Sequence, residues 1–183
     1  MIKLSGVLPA ARKMKDFERI AHSNFEILIL LETRIAQIHQ MVNYAHKRGK
    51  KVLVHTDLIN GLKVDRYGME YLIRVVKVDG VISTRANVIA LAKKNEVIAI
   101  QRLFALDSLA LQNSKRLVEQ SKPNYVEVLP GIIPSVIEEV AVDTGIPVIA
   151  GGLINTKEQV NQASNAGAIA VTTSNNALWE FEF

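Results

Sequence analysis

The sequence has no cysteine, and aromatic residues make up only 5% of its 183 positions. Disulfide bonds and thiolate chemistry are therefore excluded. The scarcity of aromatic side chains argues against a surface that binds nucleic acid mainly by base stacking, and no RNP, KH or OB pattern is present. The chain also lacks the GxGxxG and GxxxxGK[ST] motifs, so it has no dinucleotide-binding or P-loop fingerprint.

Long apolar runs are missing too, because charged residues interrupt each one well before the ~20 residues that a membrane-spanning helix needs. The first four residues, MIKL, lack the apolar core of a secretory signal. The four histidines are scattered and do not form a metal-ligand cluster. We therefore expect a soluble intracellular protein without a membrane partner, and its motifs call for no metal and no cofactor.

The chain does contain enough apolar sequence for a core, since 49% of its residues are hydrophobic. Its length suits a single domain over residues 1–183. The formal net charge of +4 favours an anionic partner only mildly.

Eight short apolar runs, each followed by a helical pattern, predict buried parallel strands. They are LSGVL (4–8), ILILL (27–31), VLV (52–54), GVI (80–82), VIAI (97–100), YVEVL (125–129), PVIA (147–150) and IAVT (169–172). Eight such units close a barrel, whereas an open doubly wound sheet more often has five or six strands. We predict an α/β fold, a single compact (β/α)8 TIM-barrel-like domain. Its loops must be short, because such barrels usually exceed ~200 residues.

Local signals also predict where helices begin and which side chains face inward. Asp107 has the position of an N-cap, and Thr156 with Gln159 has capping-box spacing. In the helix after residue 70, the side chains predicted to face inward are Tyr71, Leu72, Val75 and Val76. Residues 175–179 are predicted to form a short extra helix.

The last two strand–helix units predict a phosphate site. Gly151 and Gly152 end the seventh strand and let backbone N–H groups approach a ligand closely. The eighth strand leads into Thr173, Ser174 and Asn175. In barrels of this type, the turns after strands seven and eight commonly bind phosphate, with help from a short extra helix.

Polar residues collect at the carboxyl ends of the predicted strands, which share one end of a barrel. They are Glu32, His55, Asp57, Thr84, Arg85, Gln101, Arg102, Glu127, Gly131, Gly151, Gly152, Thr173 and Ser174. Arginines and backbone amides suit a phosphate, and carboxylates suit hydroxyl groups, so this set favours an anionic, polyhydroxylated ligand. No lysine follows a predicted strand, which argues against Schiff-base aldolase chemistry.

Other interpretations of these residues stay open. Glu32 and Glu127 could simply form ion pairs with the two arginines, and His55 could be a structural histidine. Carboxylates at strands two, three and six could instead hold a divalent cation. The alternative function is therefore a metal-assisted phosphodiesterase or a sugar-phosphate isomerase.

Two basic runs are candidates for contact with a polyanion. The first spans residues 12–15, and the second contains Lys47, Arg48, Lys50 and Lys51. The second run is our candidate RNA-binding segment, although it ends a predicted helix, where the helix dipole favours cations in any case.

The sequence resembles the glycerol uptake operon antiterminator regulatory proteins. The matching segments are LLETRIAQ (30–37), GKKVLVHTDLINGL (49–62), DGVISTRANV (79–88), AIQRLFALDS (99–108), VEVLPGIIP (126–134), IPVIAGGLI (146–154) and AVTTSNNALW (170–179). They cover seven of the eight predicted strand ends.

This resemblance implies a cytoplasmic regulator with a (β/α)8-like fold rather than an enzyme. It would bind glycerol 3-phosphate as its effector and leader mRNA as its target, preventing premature transcription termination upstream of glycerol-metabolism genes. The ligand-site residues that it implies are Glu32, His55, Asp57, Arg85, Gln101, Arg102, Glu127, Gly131, Gly151, Gly152, Thr173 and Ser174. A homo-oligomer is left open.

Overall fold

Eight parallel strands close into a barrel in the computed structural model, which describes residues 3–183. The strands are β1 (Gly6–Ala11), β2 (Ile27–Leu30), β3 (Lys51–His55), β4 (Gly80–Ser83), β5 (Ile98–Phe104), β6 (Tyr125–Leu129), β7 (Val148–Gly151) and β8 (Ala168–Thr173). Each strand pairs with its neighbours in chain order, and β1 pairs with β8 to complete the ring. The predicted fold class is confirmed.

Helices follow the strands and cover the outside of the barrel. They are α1 (Met14–Ala21), α2 (Ile35–His46), α3 (Arg66–Glu70), α4 (Ala86–Lys94), α5 (Ser108–Ser121), α6 (Pro134–Thr144) and α7 (Lys157–Asn165). A π-helical segment, Tyr71–Val76, continues α3, and short 3-10 helices occupy Thr56–Leu58 and Asn176–Leu178. Among residues 3–183, no helix is long and apolar enough to cross a membrane.

The core lies in two layers because successive strand residues point to opposite faces of the sheet. Ile29, Leu53, Ile82 and Ile100 belong to the cluster that fills the barrel interior. The alternate residues, such as Val54, pack against the surrounding helices. Both faces of each strand are thus buried, which explains why the strands have nearly continuous apolar sequences.

Two strands differ by more than one residue from their predicted bounds, and both differences affect the mouth, meaning the end of the barrel where the strands finish. The first strand covers residues 6–11 rather than 4–8, since its pairing with β8 continues through Pro9, opposite Thr173. Arg12 therefore directly follows the end of β1. The fifth strand continues to Phe104, which pairs with Leu129 of β6.

The predicted helix caps are confirmed, but one predicted inward face is wrong in part. The Asp107 carboxylate accepts a hydrogen bond from the backbone N–H of Ala110, and Thr156 forms a full capping box with Gln159. Val75 was expected to face inward but is 50% exposed. The wider π-helical turn rotates it away from the face that buries Leu72 and Val76.

Candidate functional site

The mouth contains a buried cluster of three polar side chains, each from a different strand. Arg102, Glu127 and Thr172 are the inward-facing residues near the ends of β5, β6 and β8. Arg102 Nε lies 3.2 Å from Glu127 Oε2, and Thr172 Oγ1 donates a 2.7 Å hydrogen bond to Glu127 Oε1. Glu127 is only 2% exposed. A carboxylate so deeply buried is retained at a considerable solvation cost, and its two partners offset part of that cost.

The protonation of Glu127 reflects this balance. Burial raises the pKa of the Glu127 carboxyl, while the charge of Arg102 and the hydrogen bonds from Thr172 and Arg102 act to lower that pKa. Burial is the largest effect, because it penalises the charged carboxylate.

His55, the last residue of β3, is a buried side chain without a partner. It is 3% exposed, and neither ring nitrogen has a hydrogen-bond partner among the described residues. Burial, and to a lesser extent the positive charges of Arg102 and Arg12, together lower the pKa of His55 from 6.5 to about 3. The imidazole is therefore neutral at neutral pH, with one nitrogen able to donate a hydrogen bond and the other able to accept one.

These groups line one cavity of about 510 Å³, which we call the mouth cavity. This volume lies in the range of typical small-molecule sites. Its polar lining comprises Arg12, His55, Arg102, Glu127, Asn155, Thr172, Thr173 and Ser174. Its apolar lining includes Phe104, Leu106, Leu129 and Leu153. The cavity therefore combines positive charge with hydrogen-bonding groups of several kinds.

Glycine is required where β7 reaches the mouth. A Cβ added to Gly151 would lie 2.7 Å from both Glu127 Oε1 and Thr172 Oγ1. Gly152 has a φ of +76°, a conformation that side-chain-bearing residues rarely adopt. The predicted Gly-Gly turn thus makes room for the buried carboxylate of Glu127.

Comparisons with known proteins identify the family. A model of the family described as "Glycerol-3-phosphate responsive antiterminator" matches residues 7–179. The chain belongs to this family. A glycerol uptake operon antiterminator regulatory protein from Listeria monocytogenes is 47% identical, with a TM-score of 0.95 over 99% of this chain and 98% of the other.

Two further relatives are similar to the chain over nearly its whole length. A glycerol uptake operon antiterminator-related protein from Thermotoga maritima is 29% identical, with a TM-score of 0.86 over 98% of this chain and all (100%) of the other. The Escherichia coli protein YgcP, described as uncharacterized, is 31% identical over 98% of this chain and 94% of its own length.

The same barrel also resembles that of an enzyme. Deoxyribose phosphate aldolase from Aeropyrum pernix has a TM-score of 0.74 but is 14% identical, covering 94% of this chain and 87% of its own. This similarity concerns the fold alone. No lysine is among the residues that line the mouth cavity. Lys13 does follow β1 closely, contrary to the sequence-based expectation for strand ends, but it lines a neighbouring cavity.

The antiterminator-family barrel brings together six of the twelve ligand-site residues proposed from the sequence. These six line the mouth cavity: His55, Arg102, Glu127, Gly152, Thr173 and Ser174. Asp57 and Arg85 instead face each other beside it, with Arg85 Nε 3.1 Å from Asp57 Oδ1. Asp57 Oδ2 also accepts hydrogen bonds from Ser83 Oγ and the backbone N–H of Thr84. This pair connects β3 to β4.

Gln101, Gly131 and Glu32 also lie outside the mouth cavity. The Gln101 side chain faces the helices, where its amide donates to the carbonyl of Thr84 and accepts from Ser121 Oγ. Gly131 allows close backbone approach, since its N–H donates a 2.6 Å hydrogen bond to the Gly151 carbonyl. Glu32 lines the neighbouring cavity instead.

Two other expectations need correction. The backbone N–H of Asn175, expected to be free for a phosphate, donates to Thr173 Oγ1. The carboxylates of strands two, three and six do not converge, and no group of three potential metal-ligating side chains occurs within residues 3–183. The divalent-cation interpretation therefore has no supporting cluster in the described part of the chain.

The second basic run is largely occupied by contacts within the protein. Lys50 is 6% exposed, and its ammonium donates to the carbonyls of Ser23 and Phe25. Lys51 Nζ lies 3.2 Å from an Asp79 carboxylate oxygen, and the Arg48 guanidinium stacks on Tyr44. Of the four proposed RNA contacts, Lys47 alone has no partner within the described residues.

Sequence reasoning missed three polar residues of the mouth cavity, Arg12, Asn155 and Thr172. Arg12 was assigned to a basic run because β1 was placed too early. The pattern PAAR (9–12) offered a signal, since three small or apolar residues precede the arginine. Thr172 was placed at the end of the eighth strand, but nothing in the sequence distinguished its direction from that of Thr173.

Proposed function

We propose that this chain is a regulator that binds glycerol 3-phosphate and, in response, binds the leader mRNA of glycerol-metabolism genes. Binding to the leader prevents premature transcription termination. Family membership supports the regulatory part of this proposal. The chemistry of the mouth cavity supports the effector.

One observation carries the effector assignment: the buried, unpartnered His55 lies in a cavity with two arginines. A buried polar group without a partner costs free energy, and a ligand that hydrogen-bonds to it recovers that cost. Arg12, which has no ion-pair partner among the described residues, is available for a phosphate. Arg102, whose Nε contacts Glu127, can offer its terminal N–H groups as well. The carboxylate of Glu127 and the neutral imidazole suit the two hydroxyl groups of glycerol 3-phosphate.

The response to the effector follows from linkage. A ligand shifts a protein between two states only by binding them with different affinities. The mouth cavity is lined by residues that follow or end β1, β3, β5, β6, β7 and β8, so a ligand there contacts much of the barrel rim. We propose that glycerol 3-phosphate favours the arrangement of this rim that binds RNA, as a monomer or as a homo-oligomer in the cytoplasm.

Isothermal titration calorimetry tests the effector. Glycerol 3-phosphate is expected to bind more tightly than either glycerol or inorganic phosphate, since each of these offers only one half of the required contacts. A gel-shift assay with the leader transcript from the same genome is expected to show tighter RNA binding when glycerol 3-phosphate is present. Turnover of a phosphodiester with added magnesium, without effector binding, would support the enzyme alternative and contradict this proposal.

A further inference from the structure

A second cavity, of about 410 Å³, opens beside the mouth cavity. We call it the basic cavity because Arg12, Lys13 and Arg34 line it together with a single carboxylate, Glu32. It lies over the ends of β1 and β2, and a two-residue ladder that pairs Thr33–Arg34 with Ile59–Asn60 forms part of its wall. Arg12 lines both cavities, so molecules bound in the two cavities can contact the same guanidinium.

The three cations of the basic cavity are uncompensated. None of them forms an ion pair or a side-chain hydrogen bond within residues 3–183, and neither does Glu32. All three are exposed. This arrangement gives a net positive surface on an open cavity, which is the electrostatic pattern that attracts a phosphate chain.

The start of two helices adds to this potential. Lys13 is the N-cap of α1 and Arg34 is the N-cap of α2, and neither makes a side-chain capping bond. Ser, Thr, Asp or Asn would ordinarily occupy these positions, because their side chains accept hydrogen bonds from the first helical N–H groups. Here the partial positive charge of each helix end stands next to a full positive charge.

The cavity also contains groups suited to the edges of nucleic-acid bases. The side-chain amides of Gln37 and Asn60 line it and have no hydrogen-bond partner among the described residues. Amide groups can donate and accept hydrogen bonds on base edges, and the Glu32 carboxylate can accept from an exocyclic amine. Met14, 47% exposed, supplies an apolar surface for a base.

We infer that the basic cavity is the site where the protein binds a nucleotide of single-stranded RNA. Lys13 and Arg34 contact its phosphates, and Gln37 and Asn60 contact its base. This inference rests on the proposed function, because it takes the leader RNA as the occupant. It assigns RNA to the surface next to the effector and not to the basic run at residues 47–51.

The position of the two basic segments supports this choice. Lys51 begins β3, so the run at 47–51 lies at the end of the barrel opposite the mouth. Its cations are mostly engaged by carbonyls, a carboxylate and an aromatic ring. The basic cavity has free cations and shares Arg12 with the effector site, so RNA bound there is placed to respond to the effector.

The test measures how the affinity for the leader transcript depends on salt. Each phosphate contact contributes about 0.7 to the slope of log K against log salt for single-stranded nucleic acid. The double variant Lys13→Gln/Arg34→Gln is expected to reduce the slope by about 1.4, since two contacts are lost. The matched control Lys47→Gln/Arg48→Gln also removes two charges and is expected to leave the slope unchanged. Glycerol 3-phosphate affinity is measured on the same variants and should be retained.

A second measurement uses the unmodified chain and avoids any folding defect in the variants. Lysines are acylated with and without leader RNA, and the modified peptides are quantified by mass spectrometry. Protection of Lys13 with continued labelling of Lys47 supports the inference. Suppose that the wild type binds the leader but the Lys13→Gln/Arg34→Gln variant keeps its full salt slope, or Lys13 stays unprotected. Either result overturns this inference and leaves the proposed function standing. A wild-type protein that binds no leader RNA overturns the proposed function as well.

Discussion

At the scale of single residues, His55 makes folding stability depend on pH. Its pKa is 6.5 in an unfolded chain and about 3 in the folded protein, so between these values the unfolded state binds more protons. The stabilising contribution is therefore complete above pH 6.5 and is lost as the pH falls toward 3. As the pH falls from 7.5 to 5, we expect the titration of His55 to lower the unfolding free energy of the protein by about 2 kcal/mol.

Urea denaturation of the wild type and His55→Asn at several pH values checks this prediction. Glu127 has the opposite sign, because its raised pKa stabilises the fold at low pH and this effect fades as the pH rises through its folded value. Both proteins contain Glu127, so the difference in their unfolding free energies at each pH reports the contribution of His55 alone. A pH-independent difference would show that His55 has the same pKa in the folded and unfolded states, as an exposed histidine would.

Two arginines proposed from the sequence are expected to behave differently. Arg102→Gln removes a guanidinium from the mouth cavity and should weaken glycerol 3-phosphate binding by about 10- to 100-fold, the effect of losing one charged hydrogen bond. Arg85→Gln removes a guanidinium that faces Asp57 outside that cavity and should leave the affinity unchanged. Calorimetry on both variants, with circular dichroism to verify folding, decides the matter. Equal losses would place Arg85 in the site.

At the scale of elements, Gly131 determines how closely the β6 and β7 ends approach. A Cβ at this position would lie 2.7 Å from the backbone nitrogen of Gly151 and 3.0 Å from the carbonyl carbon of Ala150. Backbone atoms of a paired strand cannot move aside cheaply, so Gly131→Ala should destabilise the protein by about 1–3 kcal/mol.

Thermal and urea unfolding of Gly131→Ala measure this loss. The comparison variant is Ser135→Ala, which lies in the following helix, is exposed and adds no atoms. We expect a change within about 0.5 kcal/mol for it. Unaltered stability of Gly131→Ala would mean that the β6 and β7 ends are further apart than the structure shows.

At the scale of the whole molecule, the effector should stabilise the entire barrel. Residues from Ala10 to Ser174 line the mouth cavity, so the site exists only while the barrel is folded, and the ligand binds the folded state alone. Glycerol 3-phosphate at 100 times its dissociation constant should add about 2.7 kcal/mol. For a protein of this size that amounts to about 5–10 °C in melting temperature.

Differential scanning fluorimetry measures this shift, and glycerol serves as the control because it lacks the phosphate. A titration series should show a melting temperature that rises with the logarithm of ligand concentration. The absence of any shift with glycerol 3-phosphate, at concentrations where calorimetry detects binding, would contradict a site that spans the barrel rim.

Much of the site could not be predicted because the direction of a side chain depends on strand register. Gln101 and Arg102 both follow an apolar run, yet one faces the helices and the other faces the mouth. A shift of one residue exchanges the two faces of a strand. For the same reason Thr172 rather than Thr173 reaches Glu127, and Arg12 entered the site only when β1 was found to end at Ala11.

The sequence by itself determined the number of strand–helix units, the caps at Asp107 and Thr156, and the end of the barrel where polar residues collect. These features depend on local periodicity and on short-range hydrogen bonds, which are encoded by neighbouring residues. Only the tertiary structure decided which of those polar residues share a cavity, and which of the two basic runs remains free. Both depend on contacts between residues far apart in the chain, such as Lys50 with Ser23 and Glu127 with Thr172.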